Sequence, residues 1–115
     1  MTPRLRPASP TDLPVLLPLM AQFYAHFQYR FESARHEAVA RRFLTDPNLG
    51  SLWLIEVDSA PVGYVAVPYG YTFEFGGRDG WVDELFVVES HRSLGLGGWA
   101  LAELQRRADE LGLVA

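Results

Sequence analysis

VDELFVVESHRSLGLGG, residues 82–98, passes from an apolar, strand-like stretch into three closely spaced glycines, Gly95, Gly97 and Gly98. The run that follows, WALAELQRRADELG (residues 99–112), is composed of good helix formers. Glycine near a helix start costs about 1 kcal/mol relative to alanine, so the position calls for bare backbone. A helix start presents unpaired N–H groups at the positive end of the macrodipole, and glycines let an anion approach them with no Cβ in the way. Arg92, just ahead, can reach a phosphate or tie the loop down. A loop that merely needed a positive φ would explain one glycine; three behind an arginine argue for anion binding.

Upstream of the loop, GWVDELFVV (80–88) reads as a strand, preceded by the strand candidates SLWLIEV (51–57) and PVGYVAVPYGYTFEF (61–75). Asp58 to Ala60 makes a tight hairpin of the first connection and GGRDG (76–80) makes one of the second. Two consecutive hairpins give an antiparallel meander. Further upstream, SPTDLPVLLPLMAQFYAHF (9–27) reads as a helix with Ser9 as N-cap, Pro10 in the first position and Asp12 completing a capping-box pattern. Leu13, Leu16, Leu17, Met20, Phe23, Tyr24 and Phe27 mark its apolar face, and Pro18 predicts a kink. A second helix with a thin apolar set (Ala34, Ala38, Val39, Phe43) spans Ser33 to Leu44 and is expected to be a mobile, lid-like segment. LRPAS (5–9) is a short first strand, the last helix runs from about Gly98 to Leu111 with Gly112 as C-cap, and LVA (113–115) begins another strand. The order β-α-α-β-β-β-α is an α+β arrangement.

The chain has 115 residues, enough for one domain, and 49% of them are hydrophobic. The formal charge is −4, which argues against nucleic acid as a partner. No stretch is long and apolar enough to span a bilayer, and the first residues lack the apolar core of a signal peptide, so a soluble cytoplasmic protein is expected. There is no cysteine, hence no disulfide, thiolate nucleophile or cysteine zinc site. All ten basic residues are arginine, which excludes a lysine-dependent mechanism and a phosphate loop ending in Gly-Lys-Ser/Thr. His26, His36 and His91 show no metal-ligand spacing, and no metal is expected.

Two families use such a loop. Gly95-Leu96-Gly97-Gly98-Trp99-Ala100 fits the G-x-G-x-x-G/A dinucleotide fingerprint, but that fingerprint follows tightly on the first strand of a parallel unit. Here hairpins precede it, and the acidic residue expected about twenty positions later would fall at or beyond Ala115. The other fit is closer. Glu84-Leu85-Phe86-Val87 followed by Arg92, Gly95 and Gly97 resembles motif A of the Gcn5-related N-acetyltransferases (GNAT), and the order of elements follows the first two-thirds of that family's domain.

The resemblance implies a GNAT-like α+β fold, a mixed, mostly antiparallel sheet flanked by helices, in one domain over residues 1–115 without the family's C-terminal strands. It implies acetyl-CoA as cofactor, with Arg92, Ser93, Leu94, Gly95, Leu96, Gly97 and Gly98 around the pyrophosphate and Leu85, Phe86 and Val87 lending strand backbone to the pantetheine arm. It also implies acetyl transfer to a primary amine of a small molecule or peptide. A non-catalytic acyl-CoA-binding domain of the same fold is the first alternative, and a dinucleotide-binding module the second.

An attacking amine must lose a proton, and a carboxylate beside the thioester can accept it. Asp83 and Glu84 are the catalytic candidates. Adjacent strand residues point to opposite faces, so only one is expected to look into the cleft, and the resemblance favours Asp83. Both being solvated strand-end carboxylates is the structural alternative. Glu56 and Glu74 are further acidic strand residues, His91 is read as loop packing, and Trp53, Trp81 and Trp99 as core or rim. The family's general-acid tyrosine lies on a helix beyond this sequence, so the apolar ELFVV strand is expected at a sheet edge. Such edges pair with other chains, which predicts a dimer or other homo-oligomer, or a C-terminal segment supplied by another chain.

Overall fold

The computed structural model describes all 115 residues. The strands are β1 (Pro3–Pro7), β2 (Gly50–Val57), β3 (Ala60–Thr72), β4 (Gly77–Gly80) and β5 (Glu84–Val87), and the helices are α1 (Leu13–His26), α2 (Ser33–Thr45) and α3 (Leu96–Arg106). The sheet runs β1-β2-β3-β4, with β5 also on β3, and every strand pair is antiparallel. β2 and β3 read as near-continuous apolar runs because both faces are covered. On β2, Leu52 and Leu54 face one cluster with Leu13, Leu16, Leu19 and Met20 of α1 and Ala40 of α2. Trp53, Ile55 and Val57 face the other, with Leu96, Ala100 and Leu104 of α3. The period-2 alternation of a strand thus sorts one sequence into two cores.

The expected strand over residues 80–88 is regular only as β5, and residues 81–83 link it to the end of β4. Ala66 pairs with Glu84 while Tyr69 pairs with Gly80, so three steps along β3 match four along its partner. One extra residue is a β-bulge. The Asp83 N–H also bonds the Ala66 carbonyl at 3.0 Å, and the Trp81 N–H bonds that of Pro68 at 3.2 Å, so the two segments stay on the same edge of β3. GGRDG is not the second turn, because Gly77–Gly80 is β4 itself; the chain reverses over Phe73–Gly76. Glu74 consequently lies exposed in that turn and not on a strand.

At the N-terminus, Pro10–Asp12 form a 3-10 turn leading into α1, and the Ser9 N–H donates to Asp12 Oδ2 at 2.8 Å, the expected capping contact. Arg6 on β1 clamps that carboxylate with two bonds of 3.1 and 2.9 Å and donates a third to Glu56, at 3.1 Å. The contact with Arg6 holds the Asp12 carboxyl below its ordinary value. Glu56 is therefore a structural ion-pair partner. α1 continues through Pro18 and buries Leu19 as well, with Leu17 partly buried against the same cluster, while Phe27 is left half exposed.

α1 ends in a capping motif of two bonds, Tyr29 N–H to the Tyr24 carbonyl (2.8 Å) and Gln28 N–H to that of Ala25 (3.1 Å). The left-handed residue in this motif is Gln28, with φ 59°, where glycine is usual; a side chain there costs about 1–2 kcal/mol. α2 occupies the expected span and packs on α1 and β2. α3 starts two residues earlier and stops five residues sooner than expected, because turns from Arg107 to Gly112 follow it. The LVA segment does lie extended beside β4: Val114 N–H reaches the Arg78 carbonyl (2.8 Å) and Gly80 N–H that of Ala115 (3.1 Å).

Candidate active site

The glycine-led start of α3 and the exposed edge of β5 lie side by side. Gly95 is the N-cap residue, at φ 77°, a conformation that L side chains resist, and no side chain caps the helix. The first intrahelical bond runs from the Trp99 N–H to the Gly95 carbonyl, which leaves the N–H groups of Leu96, Gly97 and Gly98 ahead of it. A Cβ at Gly95 or Gly98 would meet nothing within 4 Å, and one at Gly97 only Leu85 Cδ2 at 3.6 Å. The space over the helix start is open to an anion. Leu96 is 2% exposed and anchors the loop in the core, whereas Leu94 is half exposed and Ser93 carries a positive φ of 65°. Arg92 ties the loop down: its Nε donates to the Val87 carbonyl at 2.9 Å, and its guanidinium sits 5.4 Å from the centre of the Phe86 ring.

Along β5, Phe86 is buried, while Leu85 and Val87 are partly buried against the α3 core. The Val88 N–H bonds the Val62 carbonyl, and by the alternation of an antiparallel ladder Leu85 and Val87 direct their peptide groups away from β3, towards the free edge. A hollow of about 220 Å³ follows that edge, lined by His26, Phe27, Leu85, Phe86, Val87, Arg92 and Gly97. It joins the glycine loop to the base of β5.

There the bulge overturns the expectation that only one carboxylate faces the cleft. Asp83 and Glu84 both line a hollow of about 290 Å³ against α1 and a second, of about 190 Å³, against α2. The two carboxylates differ in their bonding. Glu84 is held at both oxygens, by Tyr24 OH on Oε2 and Tyr64 OH on Oε1, each at 2.7 Å. Burial, then the bond to Glu84, raises the hydroxyl pKa of both tyrosines, so they remain donors well into the alkaline range. Asp83 is exposed, and its carboxylate makes no hydrogen bond or ion pair within the protein.

Of the remaining candidates, His91 sits in a 3-10 turn with Nδ1 2.9 Å from Ser90 Oγ, a local packing contact. Trp53 is core, Trp99 packs against it and Trp81 is half exposed at the bulge. His36 lies against Phe31 and Tyr24, with ring centres 4.7 and 4.8 Å apart, at the mouth of the α2 hollow. No group of three or more acidic or histidine side chains is placed to hold a metal. Sequence reasoning missed Tyr24 and Tyr64. For Tyr24 a signal was present in QFYAHFQYRF (22–31), whose Phe23, Tyr24, Phe27, Tyr29 and Phe31 are more than one helix face can bury; Tyr64 had none.

Comparison with known proteins points the same way. No curated protein matches the sequence. Among solved structures, an integron cassette protein from the mobile metagenome of Cole Harbour Salt Marsh is 34% identical, with a TM-score of 0.89 over 95% of this chain and 72% of that one. A ribosomal-protein-alanine N-acetyltransferase from Brucella melitensis shares the fold at 21% identity, TM-score 0.80, over 98% of this chain and 76% of the other. So does a predicted acetyltransferase from Clostridium acetobutylicum solved with acetyl-CoA, at 17% identity and TM-score 0.79, over 97% and 77%. The antiparallel β5 ahead of the loop has no counterpart in a parallel dinucleotide unit. The model of the acetyltransferase (GNAT) family matches residues 17–115, and the chain belongs to that family.

Proposed function

We propose that the protein is an acetyl-CoA-dependent N-acetyltransferase that acetylates a primary amine. The observation that carries this reading is the continuity of the site. An anion-accepting helix start and a free strand edge share one hollow, and a neighbouring hollow, which has Phe27 in common with it, holds the two carboxylates. Bound there, acetyl-CoA would supply the activated acyl group as a thioester. The amides of Leu96, Gly97 and Gly98 would hold its phosphates, with Arg92 bracing the loop from the Val87 carbonyl. The outward peptide group of Leu85 and the Val87 N–H would pair with the amide arm as a further strand does.

The amine arrives as an ammonium ion and must be deprotonated before its nitrogen lone pair can attack a carbonyl carbon. Asp83, exposed and unpaired, is the carboxylate free to take that proton, directly or through water. Glu84 is held by two phenols and acts as a positioning residue, fixing α1 against the base of β5. The test is release of free thiol from acetyl-CoA in the presence of a panel of primary amines. Amine-dependent release is expected. CoA binding with no amine-dependent release would leave a non-catalytic acyl-CoA-binding domain.

A further inference from the structure

The hollow against α1 is nearly all aromatic. Four of its six lining residues are Phe23, Tyr24, Phe27 and Tyr29, and the other two are Asp83 and Glu84. The rings contact one another in a closed cycle: Phe23–Tyr24 at 5.6 Å, Tyr24–Tyr29 at 6.2 Å, Tyr29–Phe27 at 5.7 Å and Phe27–Phe23 at 5.0 Å between centres. Phe27 and Tyr29 are nearly parallel, at 19°, and stay 50% and 59% exposed. The left-handed Gln28 lies between them in the chain. Two large rings held in water beside a concave site mark a surface for a ligand to cover.

From this cage we infer the acceptor class: a primary amine joined by a short arm to an aromatic ring. The inference rests on the acetyl-transfer reading above. Glu84 already spends an oxygen on each phenol, which leaves Asp83 as the one carboxylate free for an ammonium. One free anion matches one positive charge, and the rest of the wall offers rings, with no basic side chain among the lining residues. Aromatic faces favour an ammonium at their edge and a flat apolar body against them. A polycation would find for its second charge only Glu84, whose two oxygens each already accept a phenol bond. An amino acid would set its own carboxylate against Asp83 and Glu84. At about 290 Å³ the hollow is at the small end for ligand sites, sized for one ring and its arm.

The experiment compares 2-phenylethylamine, n-butylamine, spermidine and phenylalanine as acceptors with acetyl-CoA, for the parent protein, Tyr29→Ala and Tyr29→Phe. Calorimetric titration of the same amines into the protein without acetyl-CoA accompanies it. We expect kcat/KM for 2-phenylethylamine to exceed that for each of the others at least ten-fold, with the same order of affinities in the titration. Tyr29→Ala, a half-exposed ring whose loss leaves the core intact, should cut the preference over n-butylamine to less than three-fold, and Tyr29→Phe should keep it. Transfer to spermidine or n-butylamine as efficient as to 2-phenylethylamine would overturn the substrate class and leave acetyl transfer standing. If no amine is acetylated, the transfer reading fails, and the titration alone decides the cage: no preference for the aromatic amine would overturn it too.

Discussion

Replacing Gly97 with valine separates the loop's role in folding from its role in binding. Gly97 is in the first turn of α3 with no positive φ, and an added Cβ meets only Leu85 Cδ2, at 3.6 Å, an ordinary contact. Helix propensity favours valine over glycine by a few tenths of a kcal/mol, so the unliganded protein should be as stable as the parent or up to about 0.5 kcal/mol more so. The branched methyl groups would occupy the space through which an anion reaches the N–H groups of Leu96 to Gly98. Hydrogen bonds to a charged group contribute about 1.5–3 kcal/mol each, so losing one or two costs CoA on the order of 100-fold in affinity. Gly95→Val is the control: at φ 77° it also strains the backbone, by roughly 1–2 kcal/mol, and should lower the melting temperature by several degrees. The assay is thermal unfolding without ligand together with a CoA binding isotherm for each variant. A folded Gly97→Val protein that binds CoA like the parent would refute the assignment of the loop.

Three further predictions concern the carboxylate end of the groove. Asp83→Asn should lower kcat by about 100-fold or more while leaving the CoA dissociation constant within two-fold, because a proton acceptor acts in the chemical step; an equal loss of both would make Asp83 structural. Tyr64→Phe removes a 2.7 Å bond from a fully buried phenol to a carboxylate, for which about 1.5–3 kcal/mol of stability is expected, read by urea unfolding. A change under 0.5 kcal/mol would contradict the Glu84 clamp. The raised pKa values of Tyr24 and Tyr64 also set an alkaline limit. A neutral acid whose pKa is raised on folding contributes stability fully present below its unfolded value, near 10, and lost as pH rises towards the folded value. Tyrosinate absorbance should therefore develop at higher pH in native than in denatured protein, and coincident curves would contradict the burial of these hydroxyls.

Much of this architecture is legible in local sequence. Ser9 and Asp12 set the entry to α1, and the glycines of residues 95–98 announce α3 to within two residues of its start, because capping and left-handed turns are written in adjacent residues. The long-range features are not. A bulge is one residue of register between Gly80 and Glu84, which leaves no trace in composition yet turns Asp83 and Glu84 into the same cavity. The Tyr24–Glu84 bond joins residues sixty positions apart, and Tyr64–Glu84 twenty, so neither has a spacing to recognise. GGRDG has turn composition, but Arg78 and Asp79 pair across to Tyr71 and Gly70, and the reversal moves to Phe73–Gly76. Glu56 has the composition of a solvated strand carboxylate until Arg6, fifty residues earlier, is placed beside it.

The most direct test of the central claim, that the α3 start and the β5 edge form one acyl-CoA groove, is a titration of isotopically labelled protein with CoA followed through its backbone amide resonances. Shifts should concentrate at Leu96, Gly97 and Gly98 and at Leu85 and Val87, with little change at Phe73–Gly76, and NAD should produce none of comparable size. A CoA titration that leaves those five amides unmoved, or moves a different surface, would contradict it.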